Sequence, residues 1–352
     1  MSRPSLYLFV AQTPFQLYVA SRLAGRPDYA AGRRVLLTDL EPLDCGFPEA
    51  DWEEVVRVEP LAEKPLVERF RIAYGTAASL LQPGQERAVL VVSNLEHPLS
   101  NAVYALLRRT RRFELHVYPE GLANLVPTRW TPRRRMNQYG KWLLTRLGGA
   151  PFVPIGPDLT GAPLAQRIYT FFPQWLPPEQ SARAVAIRLE QDAAGPPEAA
   201  TLVLGQDLDR FMPRKRAEAW LIRLLRFAQG LGEVRLYYKP HHHEADWMRE
   251  IAVAEGAEVV QSLCPAEAWL LQHPVERLVS FASSALIHGK LLFGSRLQAY
   301  AFHPEALRAV PGTSPQRLLD IKGAFRRAGV HVVEPGGGAH EPYDELAGGN
   351  GE

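Results

Sequence analysis

Residues 233–256 read EVRLYYKPHHHEADWMREIAVAEG: an apolar strand, a turn at Pro240 followed by three histidines, then a stretch of helical period. Val234, Leu236, Tyr237 and Tyr238 are residue types that fill a pleated surface. Pro240 has no N–H for a sheet ladder, so the strand stops there. A strand that feeds a helix through a short polar turn is half of a βαβ unit. The fold depends on whether the chain repeats it.

It does so in both directions. AEVVQS (257–262) precedes a helical stretch at 265–272, and RLVSFA (277–282) precedes one at 283–293. A strand near 297–302, a helix over 314–328 and a strand over 330–334 close the series. Upstream, ATLVLGQD (200–207) leads into a helix at 213–230. The first half has the same rhythm: SLYLFVA (5–11) with a helix opened by Pro14, RVLLTD (34–39), an amphipathic stretch over 64–82, AVLVVSN (88–94), a helix over 98–109, and FELHVYPE (113–120). Near-continuous apolar strands with helical crossovers predict parallel sheets covered on both faces. Residues 150–198, rich in Pro and Gly, read as a connection. The expected architecture is α/β, with two doubly wound Rossmann-like domains over 1–165 and 166–333. A Gly-rich acidic tail over 334–352 is expected to be disordered.

With 352 residues the chain can hold two cores. Its 46% hydrophobic and 22% charged residues are those of an ordinary globular protein. Forty basic against 38 acidic side chains leave +2, so no global field recruits nucleic acid. The basic runs RRTRR (108–112) and RRR (133–135) read first as solvated faces; an acidic acceptor or a membrane surface is the minority reading. Cys45 and Cys264 lie far apart without metal or redox spacing, which fits a reducing cytoplasm. The opening apolar run is too short for a membrane span and lacks a cleavage site, so it reads as the first buried strand.

In doubly wound folds ligands bind beyond the carboxyl ends of strands and in the cleft between domains. The strand ends carry AQTPFQL with Thr13 and Gln16, YPEGLANL (118–125) with Glu120 and Asn124, and GQD with Gln206. KPHHH (239–243) follows, with Lys239, His241 and His242, and then SFASSA (280–285) with Ser283 and Ser284. Taken singly, Glu120 reads as a turn residue and the serines as a helix N-cap. Three adjacent histidines cannot all face one ion, so a metal site is not expected. In combination they suggest chemistry on a sugar phosphodiester. Serines at a helix start could cradle the phosphate, a histidine could serve the departing phosphate near neutral pH, and Glu120 could take the proton of an acceptor hydroxyl.

PEGLANL, KPHHHE and SFASSAL, in that order and with TPFQL at the first strand–helix turn, resemble the bacterial sialyltransferases of the lipooligosaccharide sialyltransferase and polysialyltransferase type. The resemblance implies a GT-B fold and an inverting transfer from CMP-sialic acid to a glycan or glycolipid, with neither cofactor nor metal. It implies Glu120 as general base and His241 as acid or phosphate stabiliser. Ser283 and Ser284 would be phosphate ligands, with Gln206, Lys239 and His242 on the donor side and Thr13, Gln16 and Asn124 on the acceptor or cleft side. Pro119 stands where the family's turn carries a first acid, and His242 where a proline is expected. The same motifs leave room for a hexosyl- or Kdo-transferase on another nucleotide sugar, or for a non-catalytic binder of nucleotide or glycan. A cytoplasmic location is expected, with peripheral membrane association as its extension.

Overall fold

The computed structural model describes residues 6–40, 52–61, 64–81, 87–110, 113–119, 121, 131–155, 164–188, 195–210, 212–241, 243–262, 264–309 and 314–334. The first half runs β1 (Leu6–Ala11), α1 (Pro14–Ala24), β2 (Arg33–Thr38), β3 (Glu54–Arg57), α2 (Leu66–Leu80), β4 (Ala88–Val92), α3 (Pro98–Thr110), β5 (Phe113–Val117), α4 (Pro132–Leu147), β6 (Ala165–Thr170), α5 (Pro178–Ser181) and β7 (Ala184–Ala186). These strands form one parallel sheet in the order β3-β2-β1-β4-β5-β6-β7. The second half runs β8 (Glu198–Leu204), α6 (Arg214–Gly230), β9 (Arg235–Lys239), α7 (Asp246–Ala254), β10 (Glu258–Val259), α8 (Ala266–Gln272), β11 (Val275–Ser280), α9 (Ala285–Phe293), β12 (Gln298–Phe302), α10 (Pro315–Arg327) and β13 (His331–Val333). Its sheet, also parallel, has the order β10-β9-β8-β11-β12-β13. Two doubly wound halves are the GT-B architecture.

β1 shows why the strands read as unbroken apolar runs. All six of its residues are buried. Leu6, Leu8 and Val10 pack with Ala73 and Ala77 of α2 and Leu99 and Val103 of α3. Tyr7, Phe9 and Ala11 face the other way, into a cluster with Tyr18, Val19 and Leu23 of α1. Truncating Leu8 to Ala would cost about 2–5 kcal/mol through lost transfer energy and the cavity left behind. The second cluster extends through Phe15 and Phe171 to Leu278 and Leu286, so the two halves share apolar contact. Phe15 lies flat on His288 of α9, with ring centroids 4.4 Å apart at 11°.

The stretch expected to be a connection holds two strands. β6 and β7 extend the first sheet, with Ile168 opposite Ala184. The chain therefore leaves that sheet after Ala186, later than the expected division at 165/166. Residues 335–352 of the expected tail lie outside the described residues. Among the described residues no helix is long and apolar enough to cross a membrane.

Candidate active site

Because every strand is parallel, the carboxyl ends of each sheet lie along one edge. A cleft of about 480 Å³ opens at this edge between the halves. That volume suits a nucleotide or drug-sized ligand. Thr13, Pro14 and Phe15 form its first-domain lip; Lys239, His241 and the serine pair line the second-domain side. Of the sequence candidates, Thr13, Lys239, His241, Ser283 and Ser284 are brought together here. Glu120, Asn124 and His242 lie outside the described residues.

Thr13 caps α1: its Oγ1 accepts from the Gln16 N–H at 3.2 Å, and Pro14 occupies the first helical turn. Gln16 is turned inward and buried, its Oε1 accepting from the Gln12 N–H at 2.8 Å. It fastens the turn and does not line the cleft. Gln206 follows Gly205 at the end of β8, and its Oε1 is buried without a hydrogen-bond partner among the described residues.

The histidine turn is held from beneath. Oε2 of Glu244 accepts from the His241 N–H at 2.9 Å and the Tyr238 hydroxyl at 3.0 Å. Gly205 makes room for this carboxylate, since a Cβ there would run into Glu244 and the Tyr238 hydroxyl. Burial pushes the Glu244 carboxyl up to about 7, against the pull of its two donors. Burial, with His243 and Arg210 nearby, lowers the His241 imidazole to about 4. His241 is therefore neutral at pH 7 in the free protein. Its Nδ1 accepts from the N–H of His243, 3.3 Å away, while the His243 side chain is exposed.

Lys239 ends β9 almost fully buried, with Nζ donating to the Ser262 carbonyl at 2.6 Å. Burial lowers its ammonium to about 8, opposed by the nearby Glu267 carboxylate, so it keeps its positive charge at neutral pH. Glu267 also lines the cleft, its Oε1 lying 2.7 Å from Nδ1 of the buried His288.

The serine pair divides its labour. Ser283 Oγ accepts from the Ala285 N–H at 3.2 Å, and its carbonyl takes the Leu286 N–H. The first amides of α9 are thus satisfied locally. Ser284 is the N-cap residue, yet its side chain makes no capping bond. Its hydroxyl points instead at the first domain. An ideal Cβ on Gly121 would lie 2.8 Å from Ser284 Oγ, and Gly121 has φ +130°. Only glycine meets both demands without strain. The turn after β5 and the serine pair therefore meet across the cleft at Gly121.

Three features were not anticipated. Glu244 looked like the end of a polar run, and only its burial reveals it. Glu267 sits in a helix turn with no local signature. Asp39, just past β2, and His97, past β4, stand 3.8 Å apart on the first sheet's carboxyl edge. Burial raises the Asp39 carboxyl, and burial with Arg69 lowers His97 to about 4. The strand-ending aspartate of RVLLTD was the available signal. Cys264, on the cleft wall, is disulfide-bonded. The chain's other cysteine, Cys45, lies outside the described residues.

No protein-family model and no curated protein matches the sequence. Solved structures do match in fold. A galactoside α-2,3-sialyltransferase from Photobacterium phosphoreum aligns with TM-score 0.54 at 9% identity, over 94% of this chain and 99% of the other. The GT-B domain of a sialyltransferase from Photobacterium damselae aligns with TM-score 0.54 at 12% identity, over 93% and 99%. A UDP-GlcNAc 2-epimerase from Neisseria meningitidis, bound to UDP-GlcNAc, aligns with TM-score 0.52 at 8% identity, over 91% of each chain. At such identities the likeness establishes the GT-B fold.

Proposed function

We propose that this chain is an inverting glycosyltransferase that moves sialic acid, or a related nonulosonic acid, from a CMP-sugar to a hydroxyl of a glycan or glycolipid. The observation that carries the reading is the meeting of Gly121 with Ser284 at a cleft also lined by Lys239 and His241. The carboxylate adjacent to Gly121 in sequence is Glu120. The motifs that resemble bacterial sialyltransferases lie at these positions, and two solved sialyltransferases share the fold.

In this reading Glu120 takes the proton of the acceptor hydroxyl as its oxygen bonds to the anomeric carbon. The bond from that carbon to the phosphate oxygen breaks, and CMP leaves from the opposite face. Lys239 and the Ser284 hydroxyl stabilise the phosphate, and no metal is assigned a part. An anionic phosphate beside His241 favours its imidazolium, which gives a proton to the departing oxygen. Glu267 offers a carboxylate to sugar hydroxyls of the nucleotide.

The test is a melting panel with CMP, UDP and GDP, with and without EDTA. A nucleotide at a hundredfold excess over Kd stabilises by about 2.7 kcal/mol. CMP should raise the melting temperature and the other two should not. A shift with UDP and none with CMP would replace the donor assignment with a UDP-sugar, the ligand class named for the epimerase neighbour.

A further inference from the structure

Helix α4 is built inside out. Its sequence is PRRRMNQYGKWLLTRL, and its buried residues are Gln138 and Thr145. Gln138 Nε2 donates to Glu96 Oε1 at 3.1 Å, and Arg134 pairs with the same carboxylate at 2.8 Å. The Thr145 hydroxyl returns to the Lys141 carbonyl at 2.8 Å. Trp142 packs against Phe70, Ala150 and Phe152, but the other large apolar residues face outward: Met136 is 72% exposed, Tyr139 61%, Leu143 51%, Leu144 54% and Leu147 78%. These are five of the nine large hydrophobic residues exposed among the described residues, so the patch is no random scatter. At about 100° per residue, Met136, Tyr139, Leu143 and Leu147 fall within about 80° of one another.

Charge frames this stripe. Arg133, Arg135, Lys141 and Arg146 share the helix with Arg134, and α4 has no acidic residue. Beside it, α3 ends in Arg108 and Arg109. Between α2, α3 and α4 lies a depression of about 530 Å³ whose walls include Arg109, Arg146, Tyr74 and Trp142. Arg109 donates to the Tyr74 hydroxyl at 3.0 Å, and the Arg146 guanidinium lies over Trp142 at 5.4 Å. An apolar stripe bordered by arginines, with Trp and Tyr at its edge, is the composition of a helix that lies in the plane of a bilayer interface. Self-pairing of α4 would set its cations against their own copies, with no acid on the helix to neutralise them. Anionic headgroups meet both demands, taking the stripe among the upper acyl carbons and the arginines at the phosphates.

We infer that α4 is an interfacial anchor by which the protein docks on an anionic bilayer, with Arg109 and Arg146 at the level of the lipid phosphates. Arg133 and Arg135 of the basic run are then part of the anchor, while Arg134 holds the helix to Glu96. This docking stands apart from the chemistry of the cleft, and its test needs no turnover. The full chain is floated with phosphatidylcholine vesicles, with and without phosphatidylglycerol, at low and high salt. It should float with the anionic vesicles at low salt, and weakly with either vesicle type at high salt. Leu143→Ser with Leu147→Ser should lower partition by about tenfold or more, as expected for two leucines withheld from the acyl layer. Arg135→Glu with Arg146→Glu should abolish the preference for phosphatidylglycerol. Both pairs are exposed, so melting temperature and CMP response should stay as in wild type. Equal flotation with phosphatidylcholine alone, or no loss in either variant, overturns the assignment. So does a dimer in sedimentation velocity that Leu143→Ser with Leu147→Ser dissociates, since the stripe would then be a self-interface.

Discussion

The two lips of the cleft are built in different ways. On the second domain each candidate group is fixed by a partner in the same domain: His241 by Glu244, Lys239 by Ser262, and the start of α9 by Ser283. On the first domain, Gly121 is pressed against the opposite lip, and what it meets there is Ser284. The second-domain side of the cleft is therefore preorganised by its own domain. The turn at Gly121 instead meets a residue of the opposite domain, an arrangement that in the proposed reaction would hold a leaving phosphate before the acceptor arrives.

The largest test of this division is Glu120→Gln. Loss of a positioned general base costs about 10²–10⁴-fold in rate. We expect kcat to fall by at least about 100-fold, with CMP affinity nearly unchanged because the donor lip is intact. Near wild-type transfer by this variant, alongside a dead His241→Ala, would move both proton transfers to the histidine turn.

Gly121→Ala tests the meeting point. The new Cβ would press on Ser284 Oγ and hold a left-handed backbone, a strain of about 1–3 kcal/mol. We expect kcat/KM to fall by roughly tenfold or more while the melting response of the same variant to CMP is weakened less. Unchanged turnover would mean that the lips do not need to touch.

How much of this was legible in the sequence follows from what each element buries. β4, AVLVV, is buried throughout and reads unambiguously as a core strand. β6, AQRIYT, mixes a buried Ala165 with an exposed Gln166 among Pro- and Gly-rich flanks, so it read as connection. α4 went unread although Thr131 and Pro132 start it, Thr131 Oγ1 accepting from the Arg134 N–H at 3.2 Å. Its apolar face has no core to point at, so the usual logic of amphipathicity did not apply. In the site, the strand-end motifs were visible because their spacing is local. Glu244 and Glu267 were not, because burial by distant residues makes them matter.

The serine pair gives a smaller and more selective effect. Ser283→Ala removes the acceptor for the Ala285 N–H and should cost about 1 kcal/mol of stability, with modest change in CMP affinity. Ser284→Ala removes a hydroxyl with no capping role and should leave the melting temperature alone while weakening CMP binding by about fivefold to tenfold. Calorimetric titration beside a melt reads both. If the two substitutions behave alike, the pair is simply a helix start.

The smallest effect separates His241 from Glu244 by pH. His241 is neutral in the folded protein down to about pH 4, whereas an unfolded histidine gains its proton near 6.5. Between those values the unfolded chain binds more protons, so this group's contribution to stability rises with pH. Glu244 runs the other way. Its folded carboxyl keeps its proton up to about 7, whereas an unfolded glutamate loses it near 4.5. The folded chain binds more protons in that window, and stability falls as pH rises. Across the overlap, about pH 4.5 to 6.5, the two slopes oppose each other. Variants compared with wild type isolate each one, because shifts elsewhere, such as those of Asp39 and His97, cancel in the difference. Relative to wild type, Glu244→Gln should become more stable as pH rises through the overlap, and His241→Asn should become less stable. Each difference should be on the order of 1 kcal/mol once solvent access to the half-buried imidazole is allowed for. Urea melts at three pH values suffice. Parallel pH profiles for wild type and Glu244→Gln would show that this carboxyl is ionised in the folded turn, and the support beneath His241 would then be a charged one.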